Sequence, residues 1–309
     1  MPDKPPAEVS IDEALVRHLV VVQAGHAVPD AATLSLTRVT AGWDSDIWRL
    51  GQDVAVRLPR RALAAPLILN EHRSLPLIGP HIEATGVRVP LPLVLGVPAE
   101  GFPWHWSVVP WIDGARGMDV PRTDRHVWAA PLAAALAAMH VGAGPGFPVN
   151  PVRGHALETR TTAFEDRLRT LLAATLVSPS DAAALAARWD AGIAASPWAG
   201  PPVWIHGDLH PGNLVAGRQT LAGIIDFGDV TAGDPAYDLA VAWLAFDATG
   251  RERFVSATRR RYDAATWLRA HAWAAAVAVM LLAHSDDDPD YAALGRESVR
   301  EVVGPKLSG

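Results

Sequence analysis

Cysteine is absent from this sequence of 309 residues. The protein therefore has neither disulfide bonds nor a thiolate for catalysis or metal binding, a composition that suits a reducing compartment. Residues 1–9, MPDKPPAEV, also lack the basic and then apolar pattern of a secretory signal. The longest apolar run, residues 272–283, is too short to span a bilayer. We therefore expect a soluble, cytoplasmic protein without a membrane partner.

An excess of positive charge is absent too. The chain has 27 Lys and Arg against 33 Asp and Glu, which gives a formal net charge of −6. Such a chain is a poor match for the phosphate backbone of a nucleic acid, so we expect no nucleic-acid partner. The same charge is compatible with a cationic ligand without requiring one. Because 50% of the residues are hydrophobic, the chain can bury a sizeable core, and its length allows two lobes.

What the sequence does contain is a dense set of polar residues within residues 204–228, WIHGDLHPGNLVAGRQTLAGIIDFG. Asp208 and Asn213 lie five residues apart, and Asp226 follows a β-branched run and begins an Asp-Phe-Gly triplet. This spacing is what kinases use to place a base beside magnesium ligands. Asp208 would accept the proton of a hydroxyl or orient that hydroxyl, and Asn213 and Asp226 would hold Mg²⁺. An Asp-rich loop that only caps helices and turns would not explain the joint spacing.

Two histidines flank Asp208. We interpret His206 as a support for the backbone of the loop rather than as a chemical group. His210 begins a His-Pro-Gly turn, which would bring Asn213 back toward Asp226.

The segments HGDLHPGN and IIDFGDVTAGDPAYDLA together resemble the aminoglycoside phosphotransferase family, whose fold is that of the protein kinases. The resemblance implies an α+β, bilobal fold in which a small antiparallel-sheet lobe covers a nucleotide and a mostly helical lobe follows. We place the first lobe at residues 1–110 and the second at residues 111–309, with the connection near residues 108–113. The resemblance also implies Mg²⁺, ATP or GTP as phosphate donor, and a small-molecule hydroxyl as acceptor.

The segment between residues 33 and 58 has short β-rich runs separated by turns, which predicts a hairpin and a third strand. Its first turn, residues 41–45, contains one glycine, Gly42, where protein kinases have several. The backbone amides of residues 42–46 and the hydroxyl of Ser45 would then have to cover the nucleotide phosphates. An ordinary hairpin turn fits the same residues equally well.

The third strand carries Arg57, in VAVRLPRR, where the resemblance leads us to expect a lysine. A guanidinium can bind phosphate oxygens in a bidentate manner, although its planar fork is not interchangeable with an ammonium. A surface arginine on a strand is the alternative. The resemblance implies that Glu71, in LILNEHRSLPLI, is the ion-pair partner of Arg57. Asn70 and His72 face elsewhere on this helix and receive no role.

Residues 108–112 follow an alternating segment and form the expected connection between the lobes. In kinase-like folds this connection supplies backbone hydrogen bonds to the purine, which gives Val109 and Trp111 as nucleotide-binding residues. The indoles of Trp104, Trp106 and Trp111 could also stack on a base, but aromatic residues of a strand more often belong to the core.

The long activation segment of protein kinases is missing, since only five residues separate Gly228 from Asp234. The residue after His206 is Gly207 rather than arginine, so a phosphorylated loop would find no basic pocket. These absences predict a constitutively competent small-molecule kinase. Asp234 and Asp238 are interpreted as structural residues at the start of a helix.

The helices between residues 235 and 303 would supply the acceptor pocket. An aminoglycoside needs carboxylates near Asp208, whereas a macrolide needs a broad apolar cleft. An acidic cluster in this part could supply such carboxylates, but we favour a solvated turn or helix N-terminus. A group of arginines before the motif could touch substrate, but we favour residues that solvate a helix face. The cluster comprises Asp286, Asp287, Asp288 and Asp290, and the arginines are Arg153, Arg160, Arg167 and Arg169.

Three functions remain open. The first is an antibiotic O-phosphotransferase, with an aminoglycoside preferred to a macrolide as acceptor. The second is a metabolite kinase that acts on a sugar, a choline-like or an amino-alcohol hydroxyl. The third is a nucleotide-binding pseudoenzyme, which is disfavoured because Asp208, Asn213 and Asp226 are all present.

Overall fold

The computed structural model describes residues 5–99, 101–285 and 288–304. Asp286 and Asp287 of the acidic cluster lie outside the described residues. An antiparallel sheet comes first in the chain, and a mostly helical part with two small sheets follows. This arrangement confirms the predicted α+β fold.

The secondary-structure elements follow the order expected of that fold. The strands are β1 Leu36–Ala41, β2 Ser45–Leu50, β3 Val54–Pro59, β4 Val94–Gly96, β5 Trp106–Pro110, β6 Ala115–Arg116, β7 Val203–Ile205, β8 Leu214–Ala216, β9 Leu221–Ile224 and β10 Thr231–Gly233. The α-helices are α1 Glu13–Ala24, α2 Ala65–Glu83, α3 Ala129–Met139, α4 Thr161–Ala173, α5 Pro179–Ala194, α6 Ala236–Leu239, α7 Val241–Ala245, α8 Ala248–Ala257, α9 Ala264–Ala283 and α10 Pro289–Val303.

The five-stranded sheet has the order β1-β2-β3-β5-β4, and all neighbouring strands are antiparallel. Side chains alternate between its faces, so that Asp46, Trp48 and Leu50 of β2 are buried while the residues between them are less so. Helix α1 packs against this sheet through Val16 and Leu19. Full burial of a leucine such as Leu19 stabilises the fold by roughly 1.5–3 kcal/mol. The sheet and α1 thus share a small core of their own.

Helix α2 connects the sheet to the helical part. It carries Glu71, which bonds to Arg57 of β3, and farther along it buries Leu75, Ile78 and Ile82 in the larger core. The spacing of these three apolar residues places them on one face of the helix. The position of Glu71 is therefore fixed by packing on the helical part as well as by the sheet.

The two small sheets bring the motif segments together. β7 pairs antiparallel with β10, so that Ile205 lies opposite Thr231. The hairpin of β8 and β9 connects the two motifs, and the amide of Ile225 donates to the carbonyl of Asn213 over 3.0 Å. The loop that follows β7 and the segment that precedes β10 therefore lie side by side.

Helix α9 lies in the core of the helical part and packs against α5 and α10. Small residues allow this close approach, because a Cβ added to Gly192 of α5 would lie 2.3 Å from the Cβ of Ala272. The helix is longer than the apolar run seen in the sequence, and by length and composition alone it could cross a membrane. However, 67% of its most apolar stretch is buried inside the protein. We interpret α9 as a core helix, which meets the same length and composition criteria.

Candidate active site

The loop between β7 and β8 holds Asp208, the predicted base. The first two backbone amides of this loop, those of His206 and Gly207, donate to the carboxylate of Asp238 over 2.8 and 3.1 Å. Asp238 is fully buried on α6 and also contacts Nε2 of His140 at 3.1 Å. Asp238 is thus structural, as predicted, although it supports the catalytic loop rather than the start of its own helix.

Gly207 gives this loop its shape. Its φ of +82° lies in the left-handed region, and a Cβ at this position would lie 2.5 Å from the carbonyl oxygen of Asp229. Only glycine meets both requirements without a shift of the backbone. The close contact seats the loop directly on the segment that follows Asp226.

The two histidines of the loop have different partners. Nδ1 of His206 accepts from the amide of Asp208 at 3.2 Å, so its Nε2 carries the hydrogen and donates to the carbonyl of Ile225 at 3.0 Å. His206 therefore supports the backbone, as predicted. Nδ1 of His210 accepts from the amide of Gly212 at 3.0 Å within the expected turn. Its Nε2 lies 3.5 Å from Oδ2 of Asp208, a contact that the sequence did not indicate.

Arg153 reaches the same carboxylate from the loop between α3 and α4. Its Nη2 lies 3.3 Å from Oδ1 of Asp208 and 3.6 Å from Oδ2 of Asp229, and its side chain is only 14% exposed. The solvent-facing interpretation is therefore wrong for Arg153. It holds for Arg169, which is 73% exposed and pairs with Asp166. The irregular loop that carries Arg153 has no periodicity from which its direction could be predicted.

These neighbours set the charge of Asp208. Burial acts to raise its pKa, but His210, Arg153 and His206 outweigh burial and lower the pKa below the ordinary value of an aspartate. The pKa of Asp229, by contrast, is raised, chiefly by burial and against the opposing effect of Arg153. Asp208 is therefore an ionised carboxylate at neutral pH.

Asn213 belongs to the same loop as Asp208, and Asp226 follows the β8–β9 hairpin. Nδ2 of Asn213 donates to the main-chain carbonyl of Asp208 over 2.8 Å, which turns its Oδ1 away from the loop backbone. Asp226 has left-handed backbone angles, φ 64° and ψ 65°, and its side chain is 53% exposed. Such a backbone costs about 1–3 kcal/mol and is most often found where function requires it.

The oxygens of Asn213 and Asp226 fit Mg²⁺, a hard cation that takes a few protein oxygens together with phosphate and water oxygens. Within the described residues, Oδ2 of Asp226 has no hydrogen-bond donor. The same residues contain no group of three or more His, Cys, Asp or Glu side chains that could hold a metal ion. A metal here would therefore depend on the nucleotide for part of its coordination.

Arg57 lies between Glu71 and Asp226. Its Nη1 donates to Oε2 of Glu71 over 2.6 Å, and its Nη2 donates to Oδ1 of Asp226 over 2.9 Å. The side chain is 12% exposed, so the alternative of a surface arginine is wrong. Burial opposes its charged form, but Glu71 and Asp226 outweigh burial and raise the pKa of Arg57. Arg57 is a permanent cation beside the predicted metal ligands.

The neighbours of Glu71 on α2 are also engaged. Nδ2 of Asn70 donates to the carbonyl of Gly228 over 3.0 Å, so the prediction that Asn70 has no role is wrong. Nε2 of His72 lies 2.8 Å from Oγ of Ser107, on β5. Helix α2 therefore contacts both the Asp-Phe-Gly segment and the sheet.

The turn between β1 and β2 is held closed by its own backbone and by arginines. The amide of Gly42, predicted to cover phosphate, instead donates to the carbonyl of Ser45 over 2.8 Å. Arg60 donates to the carbonyl of Gly42 over 3.0 Å, and Arg61 donates to Oδ1 of Asp44 over 2.7 Å. The amide of Gly42 is therefore not free, while the role of the Ser45 hydroxyl stays a prediction.

The connection after β5 is arranged through its backbone. Val109 lies opposite Ala55 of β3, and the amide of Trp111 donates to the carbonyl of Asp53 over 2.7 Å. The guanidinium of Arg49 lies 4.6 Å from the centre of the Trp111 ring and covers one face of it. Nucleotide binding by Val109 and Trp111 stays a prediction.

The other two tryptophans considered for base stacking also have partners. Trp106 is fully buried in the core of the sheet, and Trp104 packs edge-on against Phe102 with ring centres 5.7 Å apart. Both indoles belong to the packing of the sheet, which is the alternative that the sequence favoured.

Tyr291 of α10 approaches the loop that holds Asp208. Its ring centre lies 5.5 Å from that of His210, and a Cβ added to Gly212 would lie 2.6 Å from its hydroxyl. Burial first, and then the carboxylates of Asp208 and Asp226, raise the pKa of Tyr291 to about 12. The hydroxyl is therefore a neutral donor near Asp208. An isolated tyrosine in an acidic segment gave no signal in the sequence.

The described part of the acidic cluster is structural. Asp288 is the N-cap of α10 and accepts from the amides of Asp290 and Tyr291 over 3.1 and 3.3 Å. Asp290 pairs with Arg116 at 2.6 Å. The interpretation as a helix N-terminus is correct for Asp288, the N-cap, and for Asp290, which lies in the first turn of α10.

Comparisons with known proteins identify the family of the chain and its fold. The model of the APH phosphotransferase enzyme family matches residues 35–273. No curated protein sequence matches the chain. The solved structure of an aminoglycoside 2'-phosphotransferase-IIIa in complex with GDP is similar, with a TM-score of 0.68, 19% identity and coverage of 95% of this chain and 99% of that one.

Two further solved structures have similar coverage. For the streptomycin–ATP complex of APH(2")-IIa the TM-score is 0.56 at 14% identity, with 92% of this chain and 97% of that one covered. For the apoenzyme of a macrolide 2'-phosphotransferase from Brachybacterium faecium, the TM-score is 0.58 at 20% identity, with 96% of this chain and 100% of that one covered. At these identities the likeness shows the fold alone. Together with the family match over most of the sequence, it establishes that the chain belongs to the phosphotransferase enzyme family and is an enzyme that transfers phosphate to a hydroxyl.

Proposed function

We propose that the protein transfers the γ-phosphate of ATP or GTP to a hydroxyl of a small molecule, with Asp208 facing that hydroxyl and with Asn213 and Asp226 holding Mg²⁺. The observation that supports this most directly is the hydrogen bond from Nδ2 of Asn213 to the main chain of Asp208. It ties a metal-ligand candidate to the base candidate within one loop. Arg57 adds a second link, from the sheet to Asp226.

In this proposal, Asp208 orients the acceptor rather than acting as a strong base. A carboxylate with a lowered pKa has little affinity for a proton at neutral pH. Phosphoryl transfer through a loose transition state needs little deprotonation of the attacking hydroxyl until late in the reaction. A fixed, ionised carboxylate therefore contributes chiefly by holding the hydroxyl in line with the phosphorus.

The donor side is built from the remaining charges. Mg²⁺ would neutralise charge on the phosphate oxygens. Arg57 would bind phosphate oxygens with the Nη2 hydrogens that now reach Asp226, while Glu71 keeps Nη1 in place. The backbone of residues 109–111 and the hydroxyl of Ser45 complete the proposed nucleotide site.

For the acceptor, an aminoglycoside is the first candidate and a macrolide the second, because solved relatives carry those names. A metabolite kinase is favoured by one observation. Arg153 lies against Asp208, and Arg167, whose Nε lies 2.8 Å from Nε2 of His284, has its pKa lowered by burial and by Arg160 and Arg153. Neighbouring arginines repel a polycation. We further propose that the enzyme works in the cytoplasm, without a nucleic-acid or membrane partner.

The test is a turnover screen with ATP and with GTP against aminoglycosides, macrolides and small alcohols, using wild type and Asp208→Ala. We expect one acceptor class to stimulate turnover in the wild type. Asp208→Ala should reduce that turnover by about 10²–10⁴-fold, while stabilisation of the protein by nucleotide persists. Equal turnover by the two proteins would contradict the role of Asp208.

A further inference from the structure

One side chain from outside the motifs, Arg153, enters the catalytic loop. Its guanidinium lies between two carboxylates, 3.3 Å from Oδ1 of Asp208 and 3.6 Å from Oδ2 of Asp229. It also lies over the ring of Tyr237, 5.6 Å from the ring centre. Its Nε is buried and has no acceptor among the described residues. Arg153 is therefore held mainly by the two carboxylates that it joins.

The backbone that carries Arg153 is fixed to the Asp-Phe-Gly segment by Asn150. Oδ1 of Asn150 accepts from the amides of Val152 and Arg153 over 2.9 and 3.0 Å, which forms a tight turn. Nδ2 of the Asn150 side chain donates to Oδ1 of Asp229 over 2.7 Å. Asn150 is only 6% exposed, so this link is shielded from water.

The end of the loop that carries Arg153 also packs against the segment after Asp226. Gly154 has φ +74°, and a Cβ there would lie 2.5 Å from the carbonyl oxygen of Ala232. Upstream, Oγ1 of Thr231 donates to the carbonyl of Pro148 over 2.7 Å. Arg153 thus projects from a backbone that is attached on both sides to the segment after Asp226.

The charges of Arg153, Asp208 and Asp229 indicate what this arrangement does. Two partly buried carboxylates that lie against the same guanidinium repel each other, and the cation between them offsets this repulsion. Other titratable groups also face Asp208. They are His206, His210, Asp229, Tyr237 and Tyr291. Of the groups that favour the ionised form, Arg153 is the permanent cation.

We propose that Arg153 is a positioning residue for phosphoryl transfer: it holds the Asp208 carboxylate toward the acceptor hydroxyl and balances the charge of the pair formed by Asp208 and Asp229. The inference rests on the function proposed above. Arg153 acts through Asp208 and needs no contact with either substrate.

The kinetic test compares Arg153→Met, which keeps the length and removes the charge, with Arg153→Lys, which keeps the charge. Arg153→Met should lower kcat by about 10–100-fold and leave the KM for nucleotide within about twofold. Arg153→Lys should recover part of kcat. Arg169→Met, an exposed arginine on α4, is the matched control and should behave as the wild type.

A second readout requires no acceptor. In protein with ¹³C-labelled aspartate at neutral pH, the Asp208 carboxyl resonance, assigned by its loss in Asp208→Asn, should shift in Arg153→Met relative to the wild type and should stay in place in Arg169→Met. If Arg153→Met does not fold, Arg153→Lys and Arg153→Gln serve for the same comparison. An unchanged resonance together with an unchanged kcat in a folded variant would overturn the proposal. If the wild type phosphorylates no acceptor, the proposed function fails, whereas the resonance still decides whether Arg153 holds the Asp208 carboxylate.

Discussion

At the scale of single residues, Arg57 joins three parts of the site. It lies on β3, is paired with the buried Glu71 of α2, and reaches Asp226 beyond β9. The ion pair could be expected from the sequence through the family resemblance. The link to Asp226 could not, because it depends on how the sheet is placed over the helical part. The contacts of Arg153 and Tyr291 could not be expected either, because they depend on how an irregular loop and helix α10 pack on the segment that holds Asp208.

Replacement of Arg57 tests this junction. Arg57→Ala leaves Glu71, which is 1% exposed, as an unpaired buried carboxylate, so we expect a loss of about 3 kcal/mol in the free energy of unfolding and of most activity. Arg57→Lys keeps a positive charge and should retain part of both. Denaturant unfolding and turnover measure the two effects. Arg169→Ala, which breaks only an exposed ion pair, should cost less than about 1 kcal/mol, and full activity in Arg57→Ala would remove Arg57 from the site.

The lowered pKa of Asp208 leads to a prediction for pH. His210, Arg153 and His206 keep this carboxylate ionised at pH values below the ordinary aspartate pKa of about 3.9. Activity that depends on this carboxylate is therefore fully present at neutral pH and is lost only as the pH falls through the lowered pKa. With saturating magnesium nucleotide, kcat should show no acidic limb from this group between pH 8 and about 5. A limb near pH 6 in the wild type that Asp208→Asn abolishes would contradict the assignment.

At the scale of elements, the parts that the sequence predicts well are those with local patterns. Short β-rich runs between turns predicted the first three strands, and the spacing of Asp208, Asn213 and Asp226 predicted a loop that is followed by a strand-like run. The course of residues 142–154 could not be predicted, because a loop rich in glycine and proline has neither the periodicity of a helix nor that of a strand. Its position is decided by tertiary contacts such as the bond from Asn150 to Asp229.

Gly207 offers a test of the fit between the catalytic loop and the Asp-Phe-Gly segment. Gly207→Ala places a Cβ 2.5 Å from the carbonyl oxygen of Asp229 and imposes a left-handed φ on alanine. We expect a loss of about 1–3 kcal/mol in the free energy of unfolding, together with lower kcat. Gly144→Ala is the matched control, since a Cβ at that position meets no atom within 4 Å. Equal stability of the two variants would show that the loop tolerates displacement.

At the scale of the whole molecule, the two parts of the fold meet through α2. Its apolar face packs in the helical core, while Glu71 accepts a hydrogen bond from Arg57 of the sheet. The candidate active site consequently contains residues of both parts. The packing of the alanine-rich helices, by contrast, could not be read from the sequence, because small residues such as Ala272 specify close approach without specifying a partner.

A nucleotide bound between Arg57 and the metal ligands would connect the two parts, so its binding should stabilise the whole protein. We expect ATP with Mg²⁺ to raise the Tm of the wild type more than ATP without it. Asp226→Ala should weaken the magnesium-dependent affinity at least about tenfold. Asp166→Ala, which removes an exposed carboxylate of α4, should leave it unchanged. Unchanged magnesium dependence in Asp226→Ala would contradict its role as a ligand.

Tyr291 is carried by α10, which begins at Pro289, whereas the family model matches only residues 35–273. The ring that packs on His210 thus comes from a stretch outside the part of the chain that the family model matches. Within the proposed function, a substitution in α10 would alter the surroundings of His210 while Asp208, Asn213 and Asp226 keep their places in the fold.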